Sequence, residues 1–535
     1  VGARDLVAGL SVAGLMFPEA VAYAGIAGLA PQHALAAAIA GCLAYSVFGR
    51  SRFAIVSPTS SSAAILAATI AALPGSAADK LVLVTLMVAI VGLLFIAAGM
   101  LRLGNLAGFI SRPVLRGFAF GLAITIIVKQ LPLITGIGAP GGNIGEQLLA
   151  LASTFQQWHS TSVTVGCTAL VALLALRRYP FLPGAFIVLC AGIAFTKLFA
   201  LEAHGVALVG SISMSLTWPT FSSVKWAQIR ELLPYTFPLV LILFAESWGT
   251  IRSLSLRHGE PVSANRELCA LGVANLASAM VQGMPVGAGF SAGSASEAAG
   301  ADSRLTAVVA GLGLMLIIIL GGGLVEALPE PVLAAVVIAA LTHALDPRPL
   351  LRLFRLKHDI VIALAAAFGV IIFGVVNGIV VAVVLSLAAL LRKLSTPYVA
   401  ALGRVGKGHD FVDVARHPDA SPIAGVAIWR PAQPLFFANA DAILTETAAR
   451  IARAPGATSV IVSLEESFDL DSTALDALLE FDTLIRSQGR RLQYARMHDR
   501  VRDLIGLAEP SVLAHVSYSV DDAVNALLAD QGDQK

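Results

Sequence analysis

Residues 284–295 read MPVGAGFSAGSA, and residues 56–65 read VSPTSSSAAI. Each string opens a short apolar stretch with prolines, glycines and hydroxyls. Such backbone is tolerated at membrane depth only where it is buried in protein or lines a cavity. Small residues alone would also permit close helix packing. Two such openings at corresponding places in the chain point further, to paired half-helices meeting at a midplane binding site.

Around these strings, apolar stretches recur from residue 5 to residue 394, many near the roughly 20 residues that a helix needs to cross the hydrocarbon core. Fourteen candidates lie near 6–27, 33–48, 55–73, 81–101, 113–130, 161–176, 181–199, 235–251, 267–282, 287–300, 305–325, 331–344, 358–373 and 375–391. Basic residues check the count. With a cytoplasmic N-terminus, the connections on that side hold eighteen Lys and Arg, from Arg4 to Lys393. The opposite side holds only Lys80, Lys197, Lys225 and Arg230. This alternation follows the positive-inside rule. Fourteen divides into seven and seven, and an odd number of crossings turns the second copy upside down. The fold expected is therefore an α-helical membrane protein with 14 transmembrane segments as a 7+7 inverted repeat. Its transmembrane domain covers 1–395, with repeats at about 1–200 and 230–395. The connection near 200–233 carries Trp218 and Trp226 and leads to Tyr235, residues suited to the membrane interface.

Composition agrees. Of 535 residues, 57% are hydrophobic and only 13% charged, against about 25% charged in soluble domains. A formal charge of +2 argues against nucleic acid as a partner. That near-neutrality conceals two compartments: residues 1–400 hold 23 Lys and Arg against 15 Asp and Glu (+8), and residues 401–535 hold 13 against 19 (−6). Cys42, Cys167, Cys190 and Cys269 lack CxxC spacing, so neither a disulfide framework nor a zinc site is indicated. No nucleophile with a base, metal-ligand set or Walker sequence is visible, so neither an enzyme nor a bound cofactor is expected.

A half-helix that begins inside the membrane presents free N–H groups and the positive end of a dipole, worth roughly half a charge. Two facing each other suit an anion. The expected cradle is the backbone of Thr59–Ser61 and Phe290–Ala292. Ser57, Thr59, Ser60, Ser61, Phe290, Ser291 and Ala292 are thus the candidate substrate-binding residues, with Ser62 and Ser294 as further hydroxyls.

Charged side chains at membrane depth are functional candidates by default. Glu19 follows Pro18, whose missing N–H is expected to open the helix. Glu246 lies in the eighth segment, the first segment's counterpart, with Thr250 one turn along on the same face. Glu297 follows the tenth segment's opening, with a solvated cytoplasmic end as its alternative setting, and Lys129 reads as a snorkelling residue. A carboxylate beside an anion site repels the substrate unless it is protonated or holds a cation. Glu19 and Glu246 could therefore carry a co-transported proton. Alternatively, Glu246, Thr250 and nearby carbonyls could hold Na⁺, or the carboxylates could lock a broken helix.

These residues also carry a family resemblance. DLVAGLSVAGLMFPEAVAYAGIAGLAP from Asp5, VSPTSSSA from Val56, SRPVLRGFAFG from Ser111 and AESWGTIRSLSLRHGEPVSANRELCALGVANLASAMVQGMP from Ala245 resemble the SulP family of sulfate permeases and related anion carriers. The resemblance implies core and gate domains, an anion between the third and tenth segments, elevator-like movement and a cytoplasmic C-terminal STAS domain. Pro18-Glu19 matches the bacterial pair of the first segment. Glu246 matches the acidic position of the eighth, with Thr250 at the spacing of sodium-linked members, and Ser291 matches a tenth-segment Ser or Thr. Many members follow that position with Arg, whereas this chain has Phe290-Ser291-Ala292-Gly293. Without the fixed charge the site has only its dipoles, which favours cation-linked uptake, and a dicarboxylate or bicarbonate then competes with sulfate.

In the tail, 396–421 reads as a polar linker and 422–535 as an α/β domain. Apolar runs at Val426 and Ser459 read as strands alternating with helices near 440–454, 473–488 and 498–508. PLFFANAD from Pro434 and DLDSTALDALL from Asp469 resemble a STAS domain, in whose soluble relatives the Ser at the place of Ser472 is phosphorylated. Capping of the following helix by Asp471, Ser472 or Thr473 is the simpler reading. The whole is expected in a bacterial inner membrane as a homodimer, with the N-terminus and STAS domain cytoplasmic and a regulatory partner for the latter. Its expected work is proton-coupled symport of a small anion. The alternatives are Na⁺-coupled symport, or an uncoupled channel or exchanger regulated by the STAS domain.

Overall fold

The computed structural model describes residues 2–73, 76–104, 111–138, 143–178, 184–210, 219, 226–342, 344–357, 359–454 and 456–532. Trp218 and Lys225 lie outside them. The chain divides into two units, Val1–Ser386 and Leu387–Lys535.

The first unit contains α1 (Ala3–Ala27), α2 (Pro31–Phe48), β1 (Val56–Pro58), α3 (Ser60–Ala72), α4 (Ala77–Met100), α5 (Arg112–Thr135), α6 (Ile144–Ser153), α7 (Ser160–Leu176), α8 (Gly184–Phe199), α9 (Trp226–Arg257), α10 (Ala264–Met280), β2 (Val286–Ala288), α11 (Phe290–Ala298), α12 (Leu305–Val325), α13 (Glu330–Leu341), α14 (Arg348–Leu356) and most of α15 (Ile360–Ser395). All fourteen expected segments fall on helices of this series, and α6 and α14 are short additions between them. Among the described residues, six helices are long and apolar enough to cross a membrane, and the others are shorter.

The last two segments are the two parts of α15. Gly374, at φ 80° and ψ 172°, breaks the helix. A Cβ on Gly378 would lie 2.6 Å from the Cα of Val370, although in one straight helix those residues would stand about 12 Å apart along the axis. The chain therefore turns back, and α15 makes two passes. By contrast, α1 runs through Pro18 without interruption, which corrects the expected opening there. The proline removes only the bond to the Gly14 carbonyl, and flanking turns hold the helix.

Packing sorts the helices into two bundles. In one, α1 packs on α2, α3, α11 and α12, α10 on α2 and α4, and α9 on α3, α4 and α11. In the other, α13 packs on α5, α7 and α8, and α5 carries α6 and α14. The bundles meet where α1 touches α8 and α13 and where α3 touches α5. Glycines set the close approaches within the first bundle: a Cβ on Gly272 of α10 would fall 2.7 Å from the Gly92 carbonyl of α4.

The second unit is an α/β domain. Its strands are β3 (Val399–Val405), β4 (Phe411–Asp413), β5 (Ala420–Ser421), β6 (Val426–Pro431), β7 (Ser459–Ser463), β8 (Arg491–Ala495) and β9 (Val516–Ser517). Its helices are α16 (Ala440–Ala452), α17 (Ser472–Ser487), α18 (Asp499–Ala508) and α19 (Val520–Gly532). The sheet order is β4-β3-β6-β7-β8-β9, with β5 also on β3. Strands β6 to β9 are parallel, and β3 is antiparallel to β6. Alternation along β7 builds two cores. Val460 and Val462 face Ile443, Leu478 and Ile505, while Ile461 faces Val524 and Leu527 of α19. The stretch 396–421, read above as a linker, instead supplies β3, β4 and β5. Its alternation is short and rich in Gly, Asp and His, so hydropathy alone hides the strands.

Candidate functional site

The two opening strings come together as a miniature sheet. β1 and β2 pair antiparallel, with Val56 opposite Ala288, Ser57 opposite Gly287 and Pro58 opposite Val286. Each strand runs straight into a half-helix, β1 into α3 and β2 into α11. Ser57, Thr59 and Ser61 are buried, whereas Ser60 is half-buried and Phe290 and Ser291 are exposed. Ala292 is buried against the bundle.

The two helix starts differ. Thr59 caps α3 by accepting from the Ser62 N–H at 3.2 Å, while Ser62 Oγ accepts from the Thr59 N–H at 3.0 Å. The first helical bond is Ala63 N–H to Thr59 O, so the free N–H groups on this side are those of Ser60 and Ser61. The Thr59 N–H, expected in the cradle, is already used by Ser62. At α11 the cap is Gly289, which has no side chain to offer. Its first helical bond is Gly293 N–H to Gly289 O at 3.1 Å. Phe290, Ser291 and Ala292 therefore keep three adjacent N–H groups without helical partners, a built-in preference for negative charge.

Glu246 of α9 reaches this place. Its carboxylate accepts a short hydrogen bond from Ser61 Oγ and lies 3.5 Å from Thr59 Oγ1, which is itself 2.9 Å from Ser61 Oγ. Thr250, one turn on, is buried, and its methyl faces α11 close to Gly293. Glu19 is buried in α1 and makes no hydrogen bond or ion pair among the described residues. Tyr23, one turn beyond it, is buried as well, and α1 packs on both half-helices, α3 and α11. Glu297 and Lys129 stand apart. Glu297 pairs with Arg257 at 3.0 Å and His258 at 2.8 Å at the end of α9, and Lys129 is exposed on α5. Ser472 is exposed at the start of α17, where Asp471 provides the cap by accepting the Ala474 N–H at 2.9 Å.

Supporting residues emerge that the sequence did not reveal. Asn275 of α10 acts as a third strand: its Nδ2 donates to the Val286 carbonyl at 2.9 Å, and its Oδ1 accepts the Val286 N–H at 3.0 Å. Ser247 Oγ accepts the Ala288 N–H at 2.9 Å. Ser62 Oγ also donates to the Pro285 carbonyl at 3.1 Å. Gly41 of α2 passes so close that a Cβ there would lie 2.7 Å from the Val56 carbonyl. Buried Glu267 of α10 takes the Tyr45 hydroxyl at 2.7 Å and the Arg50 N–H at 3.2 Å. Within ANRELC, Glu267 looks like an interfacial charge, and within ANLASAM, Asn275 looks like one more small polar residue.

The Sulfate permease family matches residues 3–367. The chain belongs to it. A STAS domain matches residues 417–523, the α/β unit described above. A probable sulfate transporter of Mycobacterium tuberculosis is 32% identical over 511 residues, covering 94% of this chain and 91% of its own. Among solved structures, murine solute carrier 26 family member A9, an anion transporter in the inward-facing state, superposes with a TM-score of 0.88 at 20% identity, over 98% of this chain and 91% of its own. The transmembrane domain of a cyanobacterium bicarbonate transporter, BicA, gives 0.64 at 20% identity, over 71% of this chain and 97% of its own. These two share the fold. As a member of this family, the sulfate permease homologue is a membrane transporter and not an enzyme.

Proposed function

We propose that this transporter carries a small anion inward across a bacterial inner membrane together with a proton. One observation carries the reading: the hydroxyls of Thr59 and Ser61, at the start of α3, point to the carboxylate of Glu246. An ionised Glu246 occupies these donors and repels an anion approaching the free N–H groups of α3 and α11. A protonated Glu246 no longer repels it, and the hydroxyls turn to the substrate. Glu19, buried in α1 where that helix packs on α3 and α11 and without a polar partner among the described residues, is the relay or second acceptor. The basic connections support a cytoplasmic N-terminus and STAS domain. The apolar packing between the bundles, through α1 on α8 and α13 and α3 on α5, supports an elevator-like movement of the site-bearing bundle past the other.

The name of the mycobacterial relative supports sulfate as substrate. Dicarboxylates and bicarbonate offer the same acceptor oxygens, and no arginine beside Ser291 favours sulfate's double charge. Proteoliposomes loaded at higher internal pH should accumulate the anion against its gradient. Retention of that pH dependence in both Glu19→Gln and Glu246→Gln would sink the proposal. Buried Thr250, one turn from Glu246, supports Na⁺ as the alternative coupling ion. Uptake driven by an inward Na⁺ gradient at equal pH would then replace the proton.

A further inference from the structure

Helix α14, RPLLRLFRL, lies outside the fourteen segments and takes no part in the site. It packs on α5, and its one buried side chain is Leu353. Arg348, Arg352 and Arg355 stand at i, i+4 and i+7 on a single stripe. Leu351 and Phe354 lie on the adjoining stripe and are 52% and 69% exposed. Arg352 and Arg355 are exposed and join no ion pair among the described residues, and the guanidinium of Arg348 lies 4.0 Å from the Asp346 carboxylate with its side chain 90% exposed. Lys357 (φ 50°) and Asp359 (φ 58°) take the left-handed conformation. The chain thus turns between α14 and α15 and does not run on as one rod. The helix therefore has three faces: Leu353 on the protein, an uncovered apolar stripe, and an uncovered basic stripe beside it.

We infer that α14 is an interfacial helix that binds anionic phospholipid. One occupant satisfies both uncovered faces: acyl chains take Leu351 and Phe354, and a phosphate takes the arginines, the arrangement of a helix lying in the plane of a membrane surface. The parity of crossings puts α14 on the side richest in Lys and Arg. The two passes of α15 return the chain to that same side at Ser395. Each arginine near an anionic surface is worth roughly fivefold in local preference for charged lipid.

The test uses the full-length protein carrying Phe354→Trp in nanodiscs, with the unmodified protein as background for its five native tryptophans. Bromine-labelled phosphatidylglycerol or bromine-labelled phosphatidylcholine is supplied at equal mole fraction. Trp fluorescence at 354 should be quenched at least about fivefold more effectively by the phosphatidylglycerol. Arg352→Gln/Arg355→Gln in the same background, or high salt, should equalise the two lipids while quenching persists. Equal quenching by both lipids before any arginine is changed overturns the inference. So does absence of quenching by either, which would mean that the acidic C-terminal unit or a second copy covers the helix. Phe354 and both arginines are exposed, and the purified variants' elution and helical circular dichroism check that folding is kept.

Discussion

At the scale of single residues, two hydroxyls, one carboxylate and one carboxamide carry the proposed chemistry and its support. Glu246→Gln keeps the size of the side chain and removes its charge, so transport should lose its dependence on a pH gradient while anion binding persists. Uptake measured with and without the gradient checks it. Ser61→Ala removes the donor to Glu246, and anion affinity should fall by roughly ten- to a hundredfold, as expected for a hydrogen bond to a charged group. Equilibrium binding of labelled anion reads that loss. Asn275→Ala leaves the Val286 N–H and carbonyl without a partner in a buried place, at about 2 kcal/mol or more, and should lower the thermal midpoint of the detergent-solubilised protein. Glu246 and Thr250 were legible because charge is so scarce in the first 400 residues that one carboxylate in an apolar run draws notice. Asn275 and Ser247 were not, because their partners, Val286 and Ala288, arrive only when the chain returns along β2. Glu297 was half legible: its proximity to the polar opening was plain, but its pairing with Arg257 and His258 depends on where α9 ends.

At the scale of elements, the difference between the two half-helices is the useful fact. α3 spends Thr59 and Ser62 on capping itself, whereas α11 begins at an uncapped glycine and leaves three N–H groups free. A Cβ on Gly289 would meet only the Thr59 methyl at 3.7 Å, an ordinary contact, so Gly289→Ser fits. Its hydroxyl should cap α11 and compete for the N–H groups, weakening anion affinity several-fold with little change in stability. A loss of binding accompanied by loss of the folded state would contradict this. Gly374 sits in a backbone region open essentially to glycine alone. Gly374→Ala should therefore cost about 1–3 kcal/mol and loosen the turn between the two passes of α15. The break falls between the expected segments 358–373 and 375–391, at Gly374, although valines and isoleucines flank it on both sides.

At the scale of the whole molecule, the two units differ in solvent as well as in fold, and the split of charge along the chain already separated them. What charge could not show was that the acidic unit begins before residue 422, since β3 to β5 are recognised only by pairing with β6 and with each other. That unit is tied at its edge by Asp521, which takes His409 and Arg404, each at 2.6 Å. The hydrogen bond from His409, and then the charge of Arg404, hold the Asp521 carboxyl below its ordinary value. A depressed carboxylate contributes stability above its unfolded value, near 3.9, and that contribution is lost as pH falls through the folded value. Acid unfolding of the unit should thus steepen below about pH 4, and Asp521→Asn should flatten it, as followed by circular dichroism. On the proposed reading, in which Glu246 and the substrate share the hydroxyls of Thr59 and Ser61, the consequence reaches beyond the site itself. Because the two hydroxyl hydrogens can serve one acceptor at a time, proton and anion are thermodynamically reciprocal ligands: whatever factor the first adds to the affinity of the second, the second returns to the first. On that reading, the leak of protons without cargo is set by those two hydrogen bonds together with the repulsion between an ionised Glu246 and the anion.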